Sequence, residues 1–182
     1  MGKIFDSIDD DLRAFLGQQQ MFFVATAPMS ADGLVNVSPK GLDTFRVLGP
    51  TTVAYLDLGG SGIETVAHVK ENGRIVFMFC AFDGRPRIVR FYGRGEVLEP
   101  GQDAYGALLP EFPAIPGART VIKAELHRIA DSCGWGVPLY EFQGQRDQLP
   151  RYAESLGPEK IAAKRRANNS SSLDDLPGLS FD

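Results

Sequence analysis

The chain has 182 residues, 43% hydrophobic and 23% charged, with a formal net charge of −4. That composition suits one globular unit with a terminal extension and supports a real core. An acidic chain has no bulk attraction for nucleic acid or an anionic membrane, so neither is expected as a partner, and an anionic ligand needs a local cluster of donors.

In chain order, Ser7 to Gln20 reads as an amphipathic helix, capped by Ser7, with Asp9, Asp10 and Asp11 in its first turn. Met21 to Ala27 is a strand, and Leu34 to Ser38 pairs back on it as a hairpin. Phe45 to Leu48 is a short strand that Gly49-Pro50 breaks, and Thr51 to Asp57 resumes β character. Gly59 to Gly62 is a flexible loop, followed by a helix over Glu64 to Asn72 that ends at Asn72-Gly73. Arg74 to Phe82 is apolar enough to be buried on both faces, and Asp83-Gly84 turns it into a long strand over Arg87 to Leu98. Gly93 and Gly95 mark a bend or bulge in that strand. Asp103 to Leu109 is a short helix. Thr120 to Ala130 alternates, with Val121, Lys123, Glu125, His127 and Ile129 on one side and Ile122, Ala124, Leu126 and Arg128 on the other.

About six strands with few long helices favour a barrel over a βαβ sheet. The expected organisation is a barrel unit over 1–142 and an extension over 143–182. The extension is polar, partly helical and broken at Gly157-Pro158, and it either is disordered or lies on another surface, such as that of a partner subunit.

Several chemistries lack their residues. There is no GxSxG elbow, no GxGxxG after the first strand and no phosphate-loop lysine motif. Ser61 reads as a loop serine, since no histidine and acid are placed to activate it. The two cysteines, Cys80 and Cys133, are too few for a disulfide framework, and Cys133 reads as a small packed residue. The two histidines, His68 and His127, are far apart, so no metal site is expected. No apolar run is long enough to span a bilayer, and the expected setting is reduced and cytoplasmic.

Anion binding is better supplied. The Gly59–Gly62 loop leads into a helix start, where free N–H groups and the Ser61 and Thr65 hydroxyls form a phosphate cradle. Ser38-Pro39-Lys40-Gly41 adds a hydroxyl and a cation at a strand end. Arg85, Arg87, Arg90 and Arg94 form a local positive cluster that suits either a ligand or a salt-bridged strand face. Trp135, the single tryptophan, suits stacking on a planar ligand and core or interface packing equally well.

The run from Phe22 to Leu98 resembles the pyridoxamine 5′-phosphate oxidase-like, flavin-binding split-barrel family. The carrying segments are Phe22 to Ala27, Asn36-Val37-Ser38-Pro39-Lys40-Gly41, Thr52 to Asp57, Thr65 to Ile75 and Arg87 to Val97. Gly73 stands where the family's helix-to-strand signature has proline. The resemblance implies a mainly β (α+β) fold, a six-stranded antiparallel split β-barrel with peripheral helices. It further implies a homodimer with FMN at the subunit interface and a small-molecule substrate.

On that resemblance Ser38, Pro39, Lys40, Ser61, Gly62 and Thr65 hold the cofactor phosphate, and the backbone and side chains of Tyr55, Leu56 and Asp57 line the flavin ring. Arg87 lies on the strand that reaches the cofactor, from its own subunit or across the dimer, and Trp135 caps the ring. Two departures stand out. The helix start reads Ser61-Gly62-Ile63-Glu64-Thr65 in place of the family's Ser-Arg-Lys triplet. The oxidase's Arg-x-His substrate motif is absent from Tyr140 to Asp147, so oxidation of pyridoxamine phosphate is not the expected activity. The expected function is a flavin-dependent oxidoreductase. The alternatives are a non-catalytic flavin-binding or flavin-sensing protein, or the same barrel holding a deazaflavin (F420) or haem on His68 or His127.

Overall fold

Apolar side chains alternate along most of the extended segments. In the computed structural model, which describes residues 2–181, these segments join one curled antiparallel sheet. The strands are β1 (Ile4–Phe5), β2 (Phe22–Thr26), β3 (Asn36–Lys40), β4 (Phe45–Val47), β5 (Thr52–Leu58), β6 (Arg74–Cys80), β7 (Ile88–Leu98) and β8 (Ala118–Ser132). They lie in the order β3-β2-β6-β7-β8-β5-β4, with β1 added beside β8.

β3 and β4 are the sheet edges, and among the described residues no ladder joins them. Aromatic rings bridge that side instead. Phe22 on β2 meets Phe45 on β4 with ring centres 5.1 Å apart, and Phe79 on β6 lies 4.9 Å from Phe45. The result is the expected split barrel, with eight strands where six were expected. The short strand expected at Phe45 to Leu48 and the one after Gly49-Pro50 are separate strands, β4 and β5, and the two-residue β1, too short to carry a pattern of its own, is new.

The interior is built by Val24, Val53, Tyr55, Phe77, Phe79, Phe91 and Ile122. A second cluster on the outer face of β5 joins Ala54 and Leu56 to Leu98, Phe112 and Val121. It lies under α3 (Asp103–Leu108) and the 3₁₀ turn Leu109–Glu111. β5 is thus buried on both faces. β6, which was expected to be, is not: Ile75, Phe77 and Phe79 are buried while Val76 and Met78 are half-buried.

The alternation expected for β8 also fails at one point. Tyr92 pairs with Arg128 and Gly93 with Leu126, which leaves His127 as an unpaired, exposed bulge residue. The phase therefore shifts, and Leu126 and Ile129 both enter the core. Gly93 makes this possible, because a Cβ there would stand 2.7 Å from the Glu125 carbonyl oxygen.

Helix α1 (Asp10–Gln18) is capped by Asp9 rather than Ser7: the Leu12 N–H donates to Asp9 Oδ1 at 2.9 Å. Its Leu12, Phe15 and Leu16 pack into the interior cluster. Helix α2 (Glu64–Asn72) stops at Gly73, whose φ of 71° is the left-handed C-cap that glycine favours. Helix α4 (Gln148–Asn168) is kinked at Gly157 before Pro158. The segment after it returns to the barrel. Ser180 N donates to Glu99 Oε2 at 2.8 Å, and Lys70 Nζ sits 2.6 Å from Glu99 Oε1.

Candidate functional site

β3 alternates in exposure. Asn36, Ser38 and Lys40 are half-buried, while Val37 and Pro39 face outward. Proline is tolerated here because β3 is an edge strand. Asn36 Nδ2 donates to Thr65 Oγ1 at 3.0 Å, to Thr26 Oγ1 at 3.3 Å and to Ser38 Oγ at 3.4 Å. Thr26 Oγ1 in turn lies 3.0 Å from His68 Nδ1 on α2. Since Thr26 accepts from Asn36, its single proton is free to go to Nδ1, which leaves the His68 proton on Nε2. A row of hydroxyls and amides thus runs from the hairpin to the first turn of α2.

The second part of the site is a buried ionic knot. Asp57, near the end of β5, is fully buried. Arg119 on β8 contacts its Oδ2 through Nε at 2.8 Å and Nη2 at 2.7 Å, and Lys40 Nζ lies 3.4 Å from Oδ1. Arg119 Nη1 also donates to the Gly62 carbonyl at 2.9 Å and to Asn169 Oδ1 at 3.0 Å. Burial alone pushes the Asp57 carboxyl up. The charges of Arg119 and Lys40, with their hydrogen bonds, more than offset that and hold it below the ordinary range.

The sheet register shifts at Asp57 and Leu58, where β5 gives way to the Gly59–Gly62 loop. α2 follows with no side-chain cap at Ile63, so its first N–H groups have no partner within the helix. Those N–H groups, the Ser38 and Thr65 hydroxyls and the Lys40 ammonium form a donor set suited to a phosphate-type anion. One acid intrudes: a Cβ on Gly62 would overlap the Glu64 carboxylate, so that side chain lies against the loop.

The structure thus gathers Ser38, Lys40, Asp57, Gly62 and Thr65 around one region, with Ser61 exposed on the loop beside it. Pro39 shares the strand but faces away. Tyr55 and Leu56 are buried in the two apolar clusters, so their side chains are committed to packing. Burial pushes the Tyr55 phenol well above its usual range, and the Asp57 charge adds to that.

Arg87 is not brought to Lys40 within the chain. It pairs with Asp11 at 2.9 Å and with Asp131, near the opposite end of β8 from Arg119, at 3.2 Å. It borders a separate cavity of about 570 Å³. Trp135 is 83% exposed. Cys133, expected to be packed, is exposed as well, and Cys80 is the buried cysteine.

Arg119, Asn169, Asn36 and Thr26 were not singled out by the sequence. A signal existed for the first: an acid in the apolar run Thr52–Leu58 needs a buried cation, and Arg119 opens the apolar strand β8. Nothing local points to Asn169.

The family pattern described as pyridoxamine 5′-phosphate oxidase matches residues 8–133. The pyridoxamine 5′-phosphate oxidase family protein ustO of Aspergillus flavus is 38% identical over 192 residues, spanning 96% of this chain and 77% of that one. Among solved structures, HupZ of group A Streptococcus aligns with a TM-score of 0.51 at 22% identity, over 67% of this chain and 91% of its own. A FAD-binding protein of Mesorhizobium loti aligns with a TM-score of 0.50 at 11% identity, over 72% of this chain and 96% of its own. The two structures share the fold. The family pattern and the ustO similarity show that the chain belongs to the pyridoxamine 5′-phosphate oxidase family.

Proposed function

We propose that the chain binds FMN and works as a flavin-dependent oxidoreductase on a small molecule other than pyridoxamine phosphate. The observation that carries this is the convergence of Ser38, Lys40 and Thr65 beside the uncapped start of α2. Ser38, Thr65 and the loop at Ser61–Gly62 hold the phosphate, with Lys40 supplying charge and the Asp57–Arg119 pair fixing the strands beneath. The FAD-binding protein of shared fold supports a flavin as the class of cofactor. A flavin, when bound, supplies the electron or hydride chemistry, and this chain's residues bind and orient it and exclude water. The absence of Arg-x-His from Tyr140 to Asp147 supports a substrate other than pyridoxamine phosphate.

Flavin is favoured over haem on this barrel because the His68 ring is fully buried, leaving no open face for a porphyrin. His127, the other candidate haem ligand, stands on an exposed bulge.

The reading includes a homodimer. Val35, just before β3, and Val37 on its outer face are exposed, and the segment after β8 exposes Trp135, Leu139, Tyr140 and Phe142. Two such apolar surfaces are the expected mark of an interface. In this reading Arg87 and Trp135, which lie away from Lys40 within the chain, serve the Lys40 cluster of the other subunit. In this arrangement the 1–142 unit carries the cofactor and the 143–182 extension packs on it.

The test is the absorbance spectrum of the purified protein after FMN addition and desalting. Near one flavin per subunit, reducible by a nicotinamide donor and much reduced in Lys40→Gln, is the expected result. Protein that retains no flavin overturns the reading. Protein that retains flavin yet is not reduced favours the non-catalytic flavin binder.

A further inference from the structure

α4 is not one rod. At Gly157 the backbone leaves helical geometry, with φ 71° and ψ 167°, and Pro158 starts the second half. The two halves present side chains to each other at helical spacing: Leu149, Ala153 and Leu156 from the first, Ile161, Lys164 and Arg165 from the second. The Gly59–Ser61 loop and Gly117 border the space between them, a cleft of about 480 Å³. Ala153 seats against Gly117, where an added Cβ would stand 3.0 Å from the Ala153 methyl. The volume falls in the class of pockets that take a small organic molecule.

Neither cation at this cleft makes a salt bridge among the described residues, although the buried Asp57 carboxylate acts on Arg165 from a longer distance. Lys164 Nζ has only the neutral Tyr152 hydroxyl at 2.7 Å and that ring at 4.6 Å. Arg165 donates through Nη2 to the carbonyls of Gly117 and Ala118 at 3.0 and 2.6 Å, and its buried Nε–H has no acceptor. In a chain of net negative charge, two cations with no carboxylate in contact beside an apolar wall form a complement to an anion with an apolar body.

We propose that the cleft between the two halves of α4 and the glycine loop is a binding site for a small organic carboxylate with an aliphatic or aromatic body. Leu149, Leu156 and Ile161 take the body, and Lys164 with Arg165 takes the carboxylate. The proposal stands apart from the flavin reading, although Ser61 borders both places.

The experiment uses the full chain, with and without FMN. 8-Anilinonaphthalene-1-sulfonate is titrated by fluorescence and then displaced by 4-phenylbutyrate or by its neutral analogue 4-phenylbutanol. The expected result is one saturable probe site per subunit, displaced by the acid about tenfold more strongly than by the alcohol, as one charge-assisted hydrogen bond provides. Leu156→Trp, which fills the cleft, removes probe binding. Lys164→Ala, on the exposed rim, weakens the acid and leaves the alcohol unchanged, with circular dichroism confirming the fold of both variants. Equal displacement by acid and alcohol, or probe binding unchanged in both variants, overturns the proposal. One-for-one displacement of the probe by FMN also overturns it and assigns the cleft to the cofactor. Failure to bind FMN with the probe site intact sinks the flavin reading alone.

Discussion

Asp57 is a carboxylate that water does not reach, and its two cations come from strands far apart in sequence. Removing one partner of such a pair costs about 3–5 kcal/mol because the other charge is left buried. Arg119→Met should therefore lose about that much in urea unfolding, and Asp57→Leu added to it should restore part of the loss. Because the folded Asp57 carboxyl is held below its ordinary value, its stabilisation is present above about pH 4 and lost as pH falls through the folded value. The acid limb of stability should flatten in Asp57→Asn. His68 follows a parallel rule through a different cause. Burial pushes the imidazole down, while Asp174, Glu64 and Glu71 oppose it. Its contribution is present above about pH 6.5 and lost as pH falls through its lowered folded value. Urea midpoints measured from about pH 7.5 to about 5 should decline in the wild type and decline less in His68→Gln.

At the scale of elements, alternation and turn chemistry located most of the sheet. β2, β5, β6, β7 and β8 fall close to their expected ranges, and Asn72-Gly73 ends α2 where the sequence said. What stayed hidden was non-local. β1 is two residues long and exists only because β8 accepts it. Asp9 took the cap from Ser7 because Ile8 N is anchored to the Pro50 carbonyl, which starts the helix later. The glycine pair in β7 announced a bulge, but the residue displaced by it lies on the partner strand, at His127. Lys40 and Thr65 were legible because each sits at the end or start of an element with a local signature. Arg119 and Asn169 were not, because their meaning depends on Asp57. The bulge gives a direct test: Gly93→Ala drives a methyl toward the Glu125 carbonyl and should destabilise by about 1–3 kcal/mol in urea unfolding. Gly95→Ala meets only Val69 and Ile75 methyl groups at 3.1–3.4 Å and should cost less.

For the molecule as a whole, the exposed apolar face of β3 and the Trp135–Phe142 segment predict self-association. Light scattering should report a dimer for the wild type and a shift toward monomer for Val37→Lys or Trp135→Ala, with FMN retention falling in step if both subunits contribute to it. The segment after α4 adds a condition of its own. Asn169 is fixed to the Arg119 guanidinium, and Gly178 and Ser180 are held by Lys70 and Glu99. A nascent chain that has already threaded all eight strands still lacks the side chain that completes the Arg119 shell. The full bracing of the barrel's central acid therefore depends on residues that are made only after every strand and α4.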